Sequence, residues 1–430
     1  TFLITDITRT FPLFYTNQNG EWIISDDAFY IQNTYRLPFL KESEKEFLCT
    51  GYVTGNKTLL KDLYQVQAAE LVVLKKGDVT SYEYWTYATN KTTEEPFNKL
   101  QNDLLIIYER VIKRLIKSVN GRKIVIPLSG GYDSRLILAL LTKYNYKNIL
   151  CFTYGDVRKE EIKVARQVAN ILNIDLITIE YQKQFFENQF DYGEFKNYII
   201  FASNFVSLSH IQDFFSVKYL KKNNLIPKDA VFVPGHSGDI FSGTHISKKI
   251  NNHSSNTHVE EEIKKRHFSL NNECRGFKVN YNNQMLGYSI MEAWSWKERQ
   301  SKFIVNSLRV HDFYGYESRI PFWDRELVNF FKYIPFEFKN RNQPNYCIEN
   351  NLYDSVAFKI FDEFHISIKK KKKSFFRKVI NKLLYRNKDL TNNLHYVVDK
   401  LREINNLKLK TKNINGNLAE IYLKILKEQI

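Results

Sequence analysis

Between Lys123 and Gly235 the chain alternates short apolar runs with amphipathic ones, and this rhythm limits the folds open to it. KIVIPLS (123–129), NILCFTY (148–154), DLITIEY (175–181) and AVFVPG (230–235) have the composition of buried strands. DSRLILALLTKY (133–144) and EEIKVARQVANIL (160–172) carry apolar residues at helical spacing, and a further helical stretch is expected around 203–222. Strands separated by helices need crossover connections, so the chain is predicted to form a parallel sheet covered on both faces. Upstream, LQNDLLIIYERVIKRLIKSV (100–119) reads as an amphipathic helix. Residues 1–90 read as an antiparallel region of short strands (FLITD, PLFYT, EWIIS, ELVVLKKG, VTSYEYW) with turn chemistry at NQNG and KKGD. Residues 251–275 are polar and are expected to be an irregular surface segment. Residues 284–338 read as helices that stop at PFWD and again at YIP.

Charge and cysteine usage narrow the function classes. The 430 residues carry a net charge of +16, but from Lys339 onward 20 Lys and Arg stand against 9 Asp and Glu. The basic excess therefore belongs to the C-terminal part, which argues against nucleic-acid binding by the whole protein. Cys49, Cys151, Cys274 and Cys347 are far apart and form no CxxC, so neither a disulfide framework nor a zinc site is expected. With no apolar run of membrane-spanning length and no leader pattern, the cytoplasm is the expected compartment.

The chemistry-bearing stretch is PLSGGYDSR (127–135), at the end of one expected strand and the start of one expected helix. A helix N-terminus presents unpaired backbone N–H groups and the positive end of the dipole, both suited to an anion. Gly130 and Gly131 would let phosphate oxygens approach the backbone, and Ser129 and Ser134 add hydroxyl groups. Asp133 is the odd member. A carboxylate beside a phosphate needs a cation between them, which points to Mg²⁺. The loop lacks the Gly-Lys-Ser/Thr ending of a Walker A motif and is not GxGxxG.

SGGxDS after a strand resembles the phosphate loop of the ATP pyrophosphatases, which cleave ATP between the α and β phosphates and leave an adenylate. Three further stretches resemble the asparagine synthase family within that superfamily. VFVPGHSGDIFSG (231–243) is similar to its second signature, with Gly235, Gly238, Asp239 and Gly243 in register. GYESRIPFWDRELVNFFKYIP (315–335) is similar to its Gly-x-Glu-x-Arg-x-Pro-Phe-x-Asp segment. TDITRTFPLFY (5–15) with GEWIISDD (20–27) resembles the last third of its glutaminase domain.

The resemblance implies an α/β fold in three parts. Residues 1–90 would be the end of a glutaminase-like domain without its catalytic start, residues 100–340 the parallel-sheet ATP pyrophosphatase domain, and residues 341–430 a basic helical extension. It implies ATP contacts from Leu128, Ser129, Gly130, Gly131, Asp133, Ser134, Tyr154 and Gly235, with Mg²⁺ held by Asp133 and Asp239. Leu128 and Tyr154 read equally well as plain core. The implied reaction is adenylation of a carboxylate, with release of pyrophosphate, followed by transfer to ammonia, glutamine-derived or free, or to another amine.

The chain also departs from the family pattern. No cysteine precedes Cys49, so the glutaminase nucleophile is not in this sequence. His236 and Ile240 stand where asparagine synthetases carry glutamate. With its ordinary pKa near 6.5, His236 reads either as the acceptor of the amine proton or as a loop histidine held by hydrogen bonds. Tyr132 and Arg135 give SGGYDSR the look of asparagine synthase-related proteins from bacterial surface-polysaccharide loci, where the acid would be a sugar uronate rather than aspartate. Lys372, three residues before Phe375, fits the spacing of the family's catalytic lysine, or belongs to a solvated run at Lys369–Lys373. Glu298 is the candidate relay acid, or a surface ion pair with Arg299. SFFRKVINKLLYR (374–386) reads as a basic amphipathic helix that would touch a membrane surface or pack on its own domain. A homodimer stays open. Two other functions stay open as well. A PP-loop RNA-modifying enzyme is opposed by GYESRIPFWD, and a non-catalytic ATP-binding scaffold is opposed by the retained Asp133 and Asp239.

Overall fold

The computed structural model describes residues 1–270, 285–339, 341–368, 391–407 and 414–429. Its N-terminal region forms antiparallel ladders, as the β-branched and aromatic runs predict. β1 (Phe2–Ile4) is followed by the hairpin of β2 (Phe14–Gln18) and β3 (Glu21–Ser25). Asn19 and Gly20 at its tip both take positive φ, the requirement of a tight hairpin turn. Two helices that the sequence reading missed come next, α1 (Ala28–Tyr35) and α2 (Lys41–Thr50). Asp27 caps the first by accepting the Phe29 N–H at 2.8 Å, and Gly51 ends the second at φ 86°. β4 (Tyr64–Gln65) completes a sheet ordered β3-β2-β4, while β5 (Glu70–Lys75) and β6 (Asp78–Glu83) join β1 in the order β1-β5-β6. Cys49 on α2 is disulfide-bonded, contrary to the expectation from cysteine spacing, because separation along the chain sets no limit on approach in space. Cys151 and Cys347 are free thiols.

After α3 (Phe97–Val119) the expected alternation appears as β7 (Ile124–Pro127), α4 (Tyr132–Lys143), β8 (Ile149–Gly155), α5 (Glu160–Leu172) and β9 (Leu176–Glu180). α6 (Lys183–Gln189), α7 (Tyr192–Ser203) and α8 (Phe214–Lys222) lead to β10 (Val231–Phe232), which Pro234 and Gly235 hold to two residues. The helix expected around 203–222 starts only at Phe214, because Asn204 and Phe205 both take positive φ and break it. A fifth strand, β11 (Glu317–Ser318), lies inside the GYESRIPFWD stretch. The sheet is ordered β11-β10-β7-β8-β9 and all four pairings are parallel.

Alternate strand residues feed two different cores. Ile124, Ile126, Ile149, Cys151, Val231 and Val233 pack on one face. Val125, Leu150, Phe152 and Phe232 pack on the other. The sheet is therefore buried on both sides, as a parallel sheet with crossover helices must be.

Residues 251–275 are not wholly irregular, since α9 (Asn256–His267) occupies the middle. Ser255 caps it, and Val259 and Ile263, four residues apart, are fully buried. α10 (Gly287–Trp294) runs on into a π-helical stretch, Ser295–Ile304, and a 3-10 turn, Val305–Leu308. α11 (Arg309–Phe313), α12 (Arg325–Lys332) and α13 (Leu352–Glu363) follow. α13 lies in the stretch expected as an extension and packs on α3 and α4. α14 (Thr391–Ile404) and α15 (Ile414–Lys427) pack on each other, and α15 also meets α2 and α7. Lys369–Lys373, with Lys372, and the basic segment 374–386 lie outside the described residues. Among the described residues no helix is long and apolar enough to cross a membrane.

Candidate active site

The order of the parallel sheet sets the position of the site. The chain leaves β7 toward β8 on one side and returns at β10 on the other, so a crevice opens at the carboxyl ends of β7 and β10. The loops 128–131 and 233–239 meet there. Gly235 approaches so closely that an added Cβ would fall 2.5 Å from the Ser134 nitrogen. One at Gly238 would fall 2.6 Å from the Asp133 carboxyl carbon. These two glycines make room for the other loop. Gly130 likewise makes room for protein, since a Cβ there would meet the Glu161 backbone at 2.8 Å, whereas at Gly131 it would meet only the Ser129 hydroxyl.

The first loop is braced from inside and behind. Ser129 Oγ accepts the Gly131 N–H at 3.1 Å, and Ser134 Oγ accepts the Ser129 N–H at 3.2 Å. Arg135 is fully buried and donates to the Gly130 carbonyl at 3.1 Å and to Ile366 and Ile368 at 3.2 Å. Ser237, in the second loop, takes φ 70° and donates to Gln300 Oε1 at 2.7 Å. A non-glycine residue in that conformation is the kind of local strain that gathers at functional loops.

Asp133 and Asp239 face each other across the contact. Burial and the Asp239 charge push the Asp133 carboxyl up to about 7, against the pull of the Tyr353 hydrogen bond and Arg341. Asp133 Oδ1 accepts from Tyr353 Oη at 2.6 Å, and Asp239 Oδ2 accepts from Thr244 Oγ1 at 3.0 Å. Among the described residues the other oxygen of each carboxylate has no donor. A divalent cation between them would relieve the repulsion and use those oxygens, so the pair fits Mg²⁺, with phosphate oxygens completing the shell. Among the described residues no group of three or more His, Cys, Asp or Glu could hold a metal by itself.

Beside the cradle lies a cleft of about 200 Å³ over the ends of β7, β8 and β9. Leu128, Ser129 and Tyr154 line it, together with Asp156, Lys159, Tyr181 and Gln212. Tyr154 stacks on Tyr181 at 4.9 Å and donates its hydroxyl to the buried Asp213. Tyr154 is thus a wall of the cleft, and Leu128 is both wall and core. A flat, largely apolar slot next to an anion cradle suits a purine nucleotide.

His236 follows Gly235 directly. Burial brings its imidazole down to about 4, against the opposing pull of Asp213, so the ordinary value assumed from sequence does not hold. Its Nδ1 lies 3.2 Å from Ser307 Oγ, whose proton is directed to the Ile304 carbonyl at 2.5 Å. With the Ser307 proton directed there, the contact suits the tautomer with hydrogen on Nδ1, which leaves Nε2 a lone pair.

Glu298 is engaged elsewhere. Its carboxylate accepts the Gly55 N–H at 3.1–3.2 Å and pairs with the buried Lys302, which also donates to the Val53 and Gly55 carbonyls. It ties the π-helical stretch to the N-terminal region, and its ion pair is with Lys302 rather than Arg299. Glu292 pairs with Lys339 at 3.2 Å, and burial drives both toward their neutral forms. Sequence reasoning missed Tyr353, along with Arg341, whose guanidinium pairs with Asp354 and lies 5.2 Å from the Tyr132 ring.

A parallel sheet with SGGYDS at its switch point and a facing carboxylate loop is the fold of the ATP pyrophosphatases. Within that class the chain belongs to the asparagine synthase family, whose sequence model matches residues 109–388. Membership implies an ATP-dependent enzyme of ligase type with ATP as substrate. No curated protein matches the chain. Among solved structures, the U34-tRNA thiolase NcsA from Methanococcus maripaludis with its 4Fe-4S cluster matches at 12% identity over 72% of this chain and 83% of that one, with a TM-score of 0.22. That likeness carries no argument.

Proposed function

We propose that this chain activates a carboxylate with ATP and converts it to an amide. In this reading the Leu128–Tyr154 cleft takes the adenosine, and the first turn of α4 with Ser129 and Ser134 takes the β and γ phosphates. Asp133 and Asp239 would hold Mg²⁺, whose charge offsets the charge building on the leaving pyrophosphate. The substrate carboxylate attacks the α phosphorus and pyrophosphate departs, leaving an acyl-adenylate. A nitrogen nucleophile then adds to the acyl carbon and AMP leaves. An amine that has added to a carbonyl carbon is far more acidic than free ammonium, so a weak base suffices. The Nε2 lone pair of His236, held by Ser307, would accept that proton. The acid is aspartate or a sugar uronate, and the nitrogen is ammonia or another amine.

The observation that carries the reading is the interlock of two loops through Gly235 and Gly238, which seats the Asp133 carboxyl within the field of Asp239. The test incubates the protein with ATP, Mg²⁺ and ammonium, together with aspartate or a nucleotide-linked uronic acid. Pyrophosphate and AMP should appear in step with amide. Pyrophosphate release should be abolished in Asp133→Ala, whereas His236→Gln should still release it and lose the amide. Absence of pyrophosphate with every carboxylate offered would end the proposal.

A further inference from the structure

A second cavity, of about 280 Å³, lies in the seam between the N-terminal region and the run after the π-helical stretch. Arg9, Ser301, Asn306, Arg309 and Arg319 are among its walls. Arg9 is only 5% exposed. Its Nε donates to the Val66 carbonyl at 3.2 Å, its guanidinium lies 5.6 Å from the Phe14 ring, and its buried Nη2 has no hydrogen-bond partner among the described residues. Arg309 sits 4.1 Å from the Phe201 ring, with Nη1 on Asp312 at 3.2 Å and Nε unpartnered.

The neighbouring acids are already engaged. Asp6 accepts the Thr8 and Thr10 N–H groups of its own turn. Glu298 is held by Gly55 and Lys302, and Glu317 joins Arg122 and Arg319. Burial first, and the Arg309 charge second, bring Arg9 down to about 9 in spite of Asp6 and Glu298. The cavity walls also carry Asp312 and Glu317, but each of the two guanidinium groups keeps one buried N–H without an acceptor among the described residues, an arrangement that is costly unless a further acceptor is supplied.

We infer that this cavity binds a small oxyanion, a phosphate or carboxylate group, between Arg9 and Arg309. A guanidinium edge offers paired donors matched to two oxygens of such a group. The site is separate from the nucleotide cradle and shares no wall residue with the cleft beside it. The run 305–309 that walls it also carries Ser307, which holds His236, so an occupant would bear on the reacting edge.

Thermal unfolding of the whole protein tests this, with inorganic phosphate in one arm and malonate in the other, each at ionic strength fixed with chloride. Binding to the folded state raises the midpoint with concentration. The rise should appear in the wild type and in Ser134→Ala, which alters only the cradle. Arg9→Met should weaken the apparent affinity at least tenfold. Arg309→Gln, at the less enclosed of the two arginines, should do the same if Arg9→Met fails to fold. The arm with the larger rise identifies the group. No rise beyond chloride in either arm, a rise that survives both arginine variants, or a rise that vanishes in Ser134→Ala would overturn the inference.

Discussion

A methyl group added at Gly238 would lie 2.6 Å from the Asp133 carboxyl carbon and 2.8 Å from Tyr353 Oη, so the carboxylate would have to move. Displacements of about 1 Å at a reacting centre cost on the order of 100-fold in rate. Gly238→Ala should lower pyrophosphate release at least about 100-fold with an unchanged circular dichroism spectrum. Tyr353→Phe removes the donor that holds the Asp133 carboxyl down, so the carboxyl rises further above 7. The acid limb of the pyrophosphate-release profile should then move to higher pH, and a shift to lower pH would contradict the assignment. Individual residues of the site were legible in the sequence, but their partners were not. Gly130 and Gly131 read as openings for phosphate, yet at 130, as at 235 and 238, the missing side chain admits neighbouring protein. Tyr353 sits in LYDSVAFKIF, where nothing in the pattern separates it from the aromatic residues that merely fill the core.

Among the elements, the π-helical stretch Ser295–Ile304 is one attachment of the parallel-sheet layer to the N-terminal region, beside the backbone hydrogen bonds that join 51–59 to 205–208. Trp296 Nε1 donates to the Ile7 carbonyl at 2.6 Å, Lys297 pairs with Glu83, and Glu298 and Lys302 grip the loop at 53–55. Lys302 is fully buried, so removing it leaves an uncompensated carboxylate. Lys302→Met should cost about 3–5 kcal/mol in urea unfolding, and adding Glu298→Gln should recover most of that loss. The widened helical turn has no sequence signature, because its residues keep ordinary helical character. The same holds for β10, whose two ladder residues sit inside a longer strand-like run. α5, by contrast, was legible to the residue, since an apolar stripe on a solvated helix is a strong periodic signal.

At the scale of the whole molecule, burial holds His236 at about 4 and His267 and His311 at about 3. Each is neutral in the folded chain and gains its proton on unfolding, so each contributes stability that is lost as pH falls below 6.5. Glu46 and Asp133, raised to about 7, act in the opposite sense between their unfolded values and 7. His210 and His245 are lowered by burial in the same way, and Glu292 and Asp312 are raised with the other two acids, so the histidines outnumber the raised acids and stability should decline below pH 6.5. As pH falls through the unfolded values of these acids, 4.5 for Glu46 and 3.8 for Asp133, they cease to oppose and the loss should steepen. Chemical denaturation across pH 4–7 checks this, and stability rising on acidification would refute it. The interlock at Asp133 also bears on synthesis. The carboxylate is set by Gly238 and by the hydroxyl of Tyr353, which lies 220 residues further along the chain. A chain emerging from the ribosome displays SGGYDS early but cannot complete the bracing of Asp133 until α13 has followed. If the proposed site holds ATP, retention of growing chains on immobilised ATP should begin only in those long enough to have released Tyr353.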